Sequence, residues 1–63
     1  MKISIKAARI TKGMTQQEMA TSLGVTKSTV GSWEKGKTFP GVDMIDPICS
    51  LFGVKCDDIQ WKV

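Results

Sequence analysis

Apolar residues recur along the chain at three- and four-residue intervals rather than at every second position, which predicts helices and no obvious sheet. Three helix starts share one device. A residue that can cap the first turn stands between an apolar residue just before it and an apolar residue four positions later, a pair that can pack as a hydrophobic staple. The caps are Ser4, Thr15 and Thr26, and Glu18 completes a capping box with Thr15. Because Gly13, Gly24 and Gly36 suit the ends of these segments, we predict helices over about 5–12, 16–23 and 27–35.

The position of the fourth helix is less certain because Pro47 lies among apolar residues at helical spacing. Proline is tolerated in the first turn of a helix and costly later. Two starts are therefore open: Asp46 as cap with Pro47 first, or a slightly distorted start near Asp43. Gly53 ends the helix in either case. A last short helix over about 56–60 would have Asp57 and its neighbour in the first turn, where the helix dipole favours acidic residues.

These elements predict an all-α fold, a compact bundle of five short helices forming one domain over residues 1–63. The expected core consists of Ile5, Ala8, Met19, Ala20, Leu23, Val25, Val30, Trp33, Ile45, Ile48, Leu51, Phe52 and Ile59. A chain of 63 residues has no room for a second core and buries only about 60% of its unfolded surface.

Composition narrows the function further. With 41% apolar and 24% charged residues the chain is an ordinary globular sequence, and no apolar stretch approaches the roughly 20 residues that span a membrane. Nothing resembles a signal peptide, so we expect a cytoplasmic protein with no membrane contact. Histidine is absent, and Cys49 and Cys56 are not a CxxC pair, so we predict no metal, no cofactor and no enzyme active site. The two cysteines are expected to be reduced and buried.

The charge is unevenly distributed. Residues 1–37 carry seven cations against two carboxylates, a net charge of +5, whereas residues 38–63 carry two cations against four carboxylates, a net charge of −2. A basic stripe suggests a polyanionic partner, usually nucleic acid. Taken alone, the pattern is more typical of a merely solvated surface.

The second and third helices are joined by a very short turn. Ala20 is small where the helices would cross, and Gly24 can take the positive φ that a tight turn needs. Val25, Val30 and Trp33 would lock the third helix against the second. A short glycine-containing turn between such helices predicts a helix-turn-helix motif.

From here the sequence resembles a known family, the Cro/C1-type (XRE-like) helix-turn-helix repressors of phages and bacteria, whose fold is that of the lambda-repressor DNA-binding domain. The resemblance covers nearly the whole chain. It is carried by Arg9, Gly13-Met14-Thr15-Gln16-Gln17-Glu18-Met19-Ala20, Leu23-Gly24-Val25-Thr26, Val30, Trp33-Glu34-Lys35-Gly36-Lys37, Phe39-Pro40, Gly53-Val54 and Asp57-Asp58-Ile59.

Helical spacing leaves Lys27, Ser28, Gly31, Ser32 and Lys35 on the outer face of the third helix. The resemblance implies that this helix enters the major groove of DNA. It further implies the following roles: phosphate contacts from Gln16 and Thr26, base reading by Lys27, Ser28 and Ser32, and backbone contacts from Lys35, Lys37 and Thr38. As alternatives, Gln16 is a solvated first-turn residue, Thr26 only a cap, and the lysines ordinary surface residues.

The resemblance also implies a partly buried salt bridge between Arg9 and Glu34 with a structural role. One position departs from the family, because Gly31 replaces a longer polar side chain. With two serines and a glycine on the reading face, direct base readout would be sparse, and DNA shape and bridging water would contribute to specificity.

These features predict a small sequence-specific regulator, a repressor from a prophage or mobile element, that binds a double-stranded DNA operator as a homodimer. No small-molecule effector is evident. The dimer would use the region of the last two helices, the loop at 39–41, or the tail with Trp61 and Val63. The alternative is an antitoxin-like or adaptor module that binds a protein.

Overall fold

The computed structural model describes residues 2–61, and four α-helices form most of the fold in that part of the chain. The elements, in order, are β1 (Ile3–Ser4), α1 (Ile5–Thr11), α2 (Gln16–Leu23), α3 (Lys27–Lys35), α4 (Val42–Phe52), a 3₁₀ turn (Cys56–Asp58) and β2 (Ile59–Gln60). None of the helices in this range is long and apolar enough to cross a membrane.

The three predicted helix caps are all present. The side-chain oxygens of Ser4 and Thr26 each accept a hydrogen bond from the backbone N–H three residues later, at 3.0 and 3.2 Å. Thr15 accepts from the Glu18 N–H at 3.1 Å, while the Glu18 carboxylate accepts from the Thr15 N–H at 2.9 Å. The capping box therefore satisfies two backbone donors that the first turn of α2 would otherwise leave free.

The turn between α2 and α3 is held by its backbone. Gly24 has a φ of 73°, in the left-handed region that favours glycine. The Val25 N–H then donates to the Ala20 carbonyl at 3.0 Å, which closes the end of α2. With Thr26 already capping α3, only three residues separate the two helices.

Helix α4 adopts the earlier of its two possible starts. Gly41 is the N-cap, and Pro47 lies inside the helix as its sixth residue. Pro47 and Asp43, whose carbonyl it leaves without a donor, are both exposed, so water can satisfy that oxygen. Burial of apolar side chains elsewhere in the helix, such as those of Ile48 and Phe52, offsets the lost hydrogen bond.

The predicted fifth helix is wrong, and so is the expectation of no sheet. Residues 56–60 form a single 3₁₀ turn followed by β2, which pairs in parallel with β1 through Ile3 with Ile59 and Ser4 with Gln60. A helix of five residues offers too few hydrogen bonds to offset its nucleation cost. The strand pairing instead satisfies backbone groups beside Ile59, whose side chain is fully buried.

The core lies where α1, α2, α3 and α4 meet β2. Its buried members are Ile5, Ala8, Met19, Ala20, Val30, Trp33, Ile48, Cys49, Phe52 and Ile59. Nine of these ten belong to the expected core, and the tenth is Cys49, whose burial was also expected; Cys56 is only half-buried. The expected core residues Leu23, Val25, Ile45 and Leu51 are half-buried and pack against the core from its rim.

The expectation of two reduced cysteines is also wrong, since the structure joins Cys49 to Cys56 in a disulfide. Gly53 ends α4, and the chain then turns back so that the two Cα atoms lie 5.5 Å apart, within the usual range for a disulfide. The bond ties α4 to the segment that carries Ile59 into the core.

Reduction of this disulfide is expected to lower the free energy of unfolding by about 2 kcal/mol, because a loop of this length is no longer closed in the unfolded chain. Urea unfolding with and without dithiothreitol measures the change. The Cys49→Ala/Cys56→Ser double variant should unfold at one urea concentration in both conditions. Equal stability of the oxidised and reduced wild type would contradict the prediction.

Stability is also expected to depend on the ionisation of Glu18. Hydrogen bonds from the Thr15 backbone N–H, and secondly from its side chain, hold the pKa of the Glu18 carboxyl below its ordinary value of 4.5. The stabilisation is therefore complete above that value and is lost as the pH falls through the lowered pKa. Between about pH 5 and pH 3 the melting temperature of the wild type should fall further than that of Glu18→Gln, which does not titrate. Parallel profiles for the two proteins would rule out this contribution.

Candidate nucleic-acid interface

Counting Gly31 on the outer face of α3, nine residues are predicted to form the DNA-binding surface. Seven of them line one shallow groove of about 310 Å³ between the start of α2 and the outer face of α3. They are Gln16, Lys27, Ser28, Gly31, Ser32, Lys35 and Lys37. Three of them are lysines and none is acidic, so the groove presents a positive surface to any polyanion.

The packing of α3 produces this face. Val30 is fully buried and Trp33 is 4% exposed, so these two side chains anchor the inner side of the helix. The remaining positions are turned outward by the 3.6-residue period. Lys27 and Lys35 are exposed, while Ser32 is half-buried in the groove.

The other two predicted contacts lie outside the groove lining. Thr26 caps α3, and its hydroxyl also hydrogen-bonds the Thr29 hydroxyl at 2.9 Å. Thr38 is exposed in the loop that follows α3, directly after Lys37. Thr26 therefore precedes α3 and Thr38 follows it, so the two residues lie on either side of the helix in the sequence.

A partly buried ion pair lies behind the groove and joins α1 to α3. The Arg9 Nε donates to Glu34 Oε2 at 2.7 Å and its Nη2 to Oε1 at 3.3 Å, and the two side chains are only 11% and 4% exposed. Arg9 Nη1 also donates to the Met14 carbonyl at 2.8 Å, so the guanidinium fixes the loop before α2 as well.

Gln16 belongs to both the ion-pair network and the groove. Its Nε2 donates to Glu34 Oε1 at 3.0 Å while the residue lines the groove. The Glu34 carboxylate therefore accepts from side chains on α1 and α2 and is neutralised by Arg9, which removes the repulsion it would otherwise exert on a phosphate. No sequence signal indicates this contact, because Gln16 and Glu34 are 18 positions apart.

A second depression of about 460 Å³ adjoins the groove and shares Gln16 and Lys27 with it. Its other lining residues are Arg9, Ile10, Gly13, Met14, Thr15 and Gln17. Gln17 was not among the predicted contacts. Its side chain donates to the Thr21 hydroxyl at 3.2 Å, along the exposed side of α2.

Residues 2–61 contain no group of three or more His, Cys, Asp or Glu side chains placed to hold a metal ion.

Sequence comparison with known proteins identifies a family and several related chains. The helix-turn-helix family matches residues 5–59. An uncharacterised helix-turn-helix transcriptional regulator of Bacillus subtilis, YgzD, is 34% identical over 97% of this chain and 92% of its own length. One from Methanocaldococcus jannaschii is 39% identical over 94% of this chain and 89% of its own. The cryptic phage CTXphi transcriptional repressor RstR of Vibrio cholerae is 30% identical over 79% of this chain and 45% of its own.

Glu34→Gln is expected to destabilise the fold by about 3 kcal/mol, because it leaves the buried Arg9 guanidinium without a counter-charge. Urea unfolding at neutral pH measures the loss. Asp57→Asn, which neutralises an exposed carboxylate, is the matched control and should change the stability by less than about 0.5 kcal/mol. Equal effects from the two substitutions would show that the ion pair adds nothing beyond a surface charge.

Proposed function

The chain belongs to the Cro/C1-type helix-turn-helix family of transcriptional regulators, which bind DNA, and from this we propose that it is a sequence-specific repressor that reads the major groove with α3. The observation that carries the proposal is the groove itself. It places three lysines, two serines and the Gln16 amide on one face and has no acidic residue in its lining. This is the composition expected of a surface that holds phosphates and reads base edges.

The residues of this surface divide into those proposed to contact bases and those proposed to contact phosphates. Ser28 and Ser32, on the outer face of α3, reach base edges, and Lys27 reaches either a base or a phosphate. The backbone N–H of Gln16 at the first turn of α2 and the side chain of Thr26 at the cap of α3 contact phosphates on one side. Contacts to the DNA sugar-phosphate backbone on the other side come from Lys35, Lys37 and Thr38.

One helix-turn-helix reads only half of a site, so the proposed regulator binds as a homodimer on a two-fold operator with half-sites about 34 Å apart or a multiple of that. Phe39 and Val42 are 53% and 93% exposed, respectively, and lie next to the groove in sequence, where a second copy would cover them. Trp61 is half-buried, packs against the core and donates to the Cys56 carbonyl at 3.3 Å, which favours a role in the fold. Val63, the other tail residue considered for the interface, lies outside the described residues.

The regulator would act in the bacterial cytoplasm or nucleoid, with residues 1–63 as a single DNA-binding domain, and would repress by blocking polymerase. The similarity to the phage repressor RstR supports a prophage or mobile-element origin. The second candidate is an antitoxin-like or adaptor module, which the exposed apolar side chains of Phe39 and Val42 favour, since such side chains commonly serve protein contacts.

Selection of bound sequences from a random duplex library at near-physiological salt tests the proposal. An enriched inverted repeat is expected, and its half-site spacing reports the geometry of the dimer. Salt-sensitive binding without enrichment would contradict sequence-specific regulation and favour the protein-binding module.

Two substitutions on the selected operator separate base reading from phosphate binding. Ser32→Ala should change the preferred sequence, whereas Lys37→Ala should weaken all duplexes alike and reduce the salt slope by about one unit. Ser28→Ala should behave like Ser32→Ala. Circular dichroism should show that all three variants fold. A changed preference with Lys37→Ala and none with the serine variants would overturn the assignment of the reading face.

A further inference from the structure

Gly31 occupies the middle of the reading face, and nothing in the fold requires a glycine there. A Cβ added at Gly31 would meet a single atom from outside its own helix within 4 Å, the Gln16 Nε2 at 3.9 Å, which is an ordinary contact. The φ angle of Gly31 is not in the positive range, so its backbone conformation does not require glycine either. Because glycine weakens a helix relative to alanine, the packing of the protein alone would favour alanine at this position.

The missing side chain leaves a notch with an apolar floor. Gly31 lies within α3, whose backbone N–H and carbonyl groups are engaged along the helix, so the surface at this point is the Cα methylene. Ser28, Ser32 and the lysines at positions 27 and 35 surround it in the groove. Apart from Gln16 Nε2, the space that a Cβ would take at Gly31 is free, so the notch opens directly into the groove.

One wall of the notch is polar and held in place. Gln16 Nε2 gives one hydrogen to Glu34 Oε1 at 3.0 Å, and Glu34 is in turn held by Arg9. An amide nitrogen carries two hydrogens, so one donor remains next to the notch. The ion pair thus positions a hydrogen-bond donor close to the place that a Cβ would take at Gly31.

This combination fits one base edge. In the major groove thymine presents a C5 methyl next to the O4 acceptor, cytosine presents a donor and no methyl, and the purines present no apolar group. We propose that Gly31 and Gln16 read a thymine in each half-site. The methyl group packs on the Gly31 Cα, and O4 accepts the second Nε2 hydrogen of Gln16. This proposal rests on the proposed DNA-binding function and assigns to it a specificity-determining pair of residues, with Glu34 as the positioning residue.

The test uses the selected operator with each thymine replaced in turn by deoxyuridine, which removes only the methyl group. At one position in each half-site the affinity is expected to fall about fourfold, the effect of exposing one buried methyl group. Gly31→Ala fills the notch and is expected to bind the thymine and deoxyuridine duplexes equally at that position. Its unfolding curve should show a fold at least as stable as the wild type, which separates loss of discrimination from loss of structure.

Ser22→Ala, an exposed substitution on α2 outside the groove, is the matched control. It should retain the thymine-to-deoxyuridine ratio at that position. Failure of the library to yield any operator would contradict the proposed function itself. An operator whose thymines all tolerate deoxyuridine, or a Gly31→Ala variant that still discriminates, would overturn the notch while leaving sequence-specific binding in place.

Discussion

The Arg9–Glu34 ion pair is the interaction on which the rest of the structure depends, because it joins elements that share little other polar contact. Arg9 lies on α1 and Glu34 on α3, and their side chains are almost completely removed from water. Such a pair is tolerable only when its remaining hydrogen-bonding groups are satisfied. The Met14 carbonyl and the Gln16 amide provide those partners, and both belong to the loop and first turn that precede the groove. One charged pair thus orients α1, α2 and α3 together.

The same network connects stability to recognition. The Glu34 carboxylate accepts a hydrogen bond from the Gln16 amide, and this contact keeps the amide at the edge of the groove. The carboxylate lies near a surface that attracts phosphates, yet Arg9 neutralises it. The side chains that join α1, α2 and α3 therefore also position one edge of the groove.

The opposite end of the molecule is held by different means. The sheet between β1 and β2 brings the two ends of the described chain together, and the bond between Cys49 and Cys56 fastens the returning segment to α4. A chain this short buries too little apolar surface to rely on its core alone. Ile59 belongs to the same core cluster as the buried side chains of α1, the helix that carries Arg9.

The sequence by itself determined the first three helices and their caps, because these depend on neighbours within four residues. Ser4, Thr15 and Thr26 could be identified as caps, and the outer face of α3 follows from its helical period. Only the tertiary structure decided the long-range contacts. Strands of two residues show no alternation that a pattern could reveal, and the bond between Cys49 and Cys56 requires the chain reversal after α4. The hydrogen bond from Gln16 to Glu34 exists only because packing brings α2 and α3 together, and no local signal reports a distance across the fold.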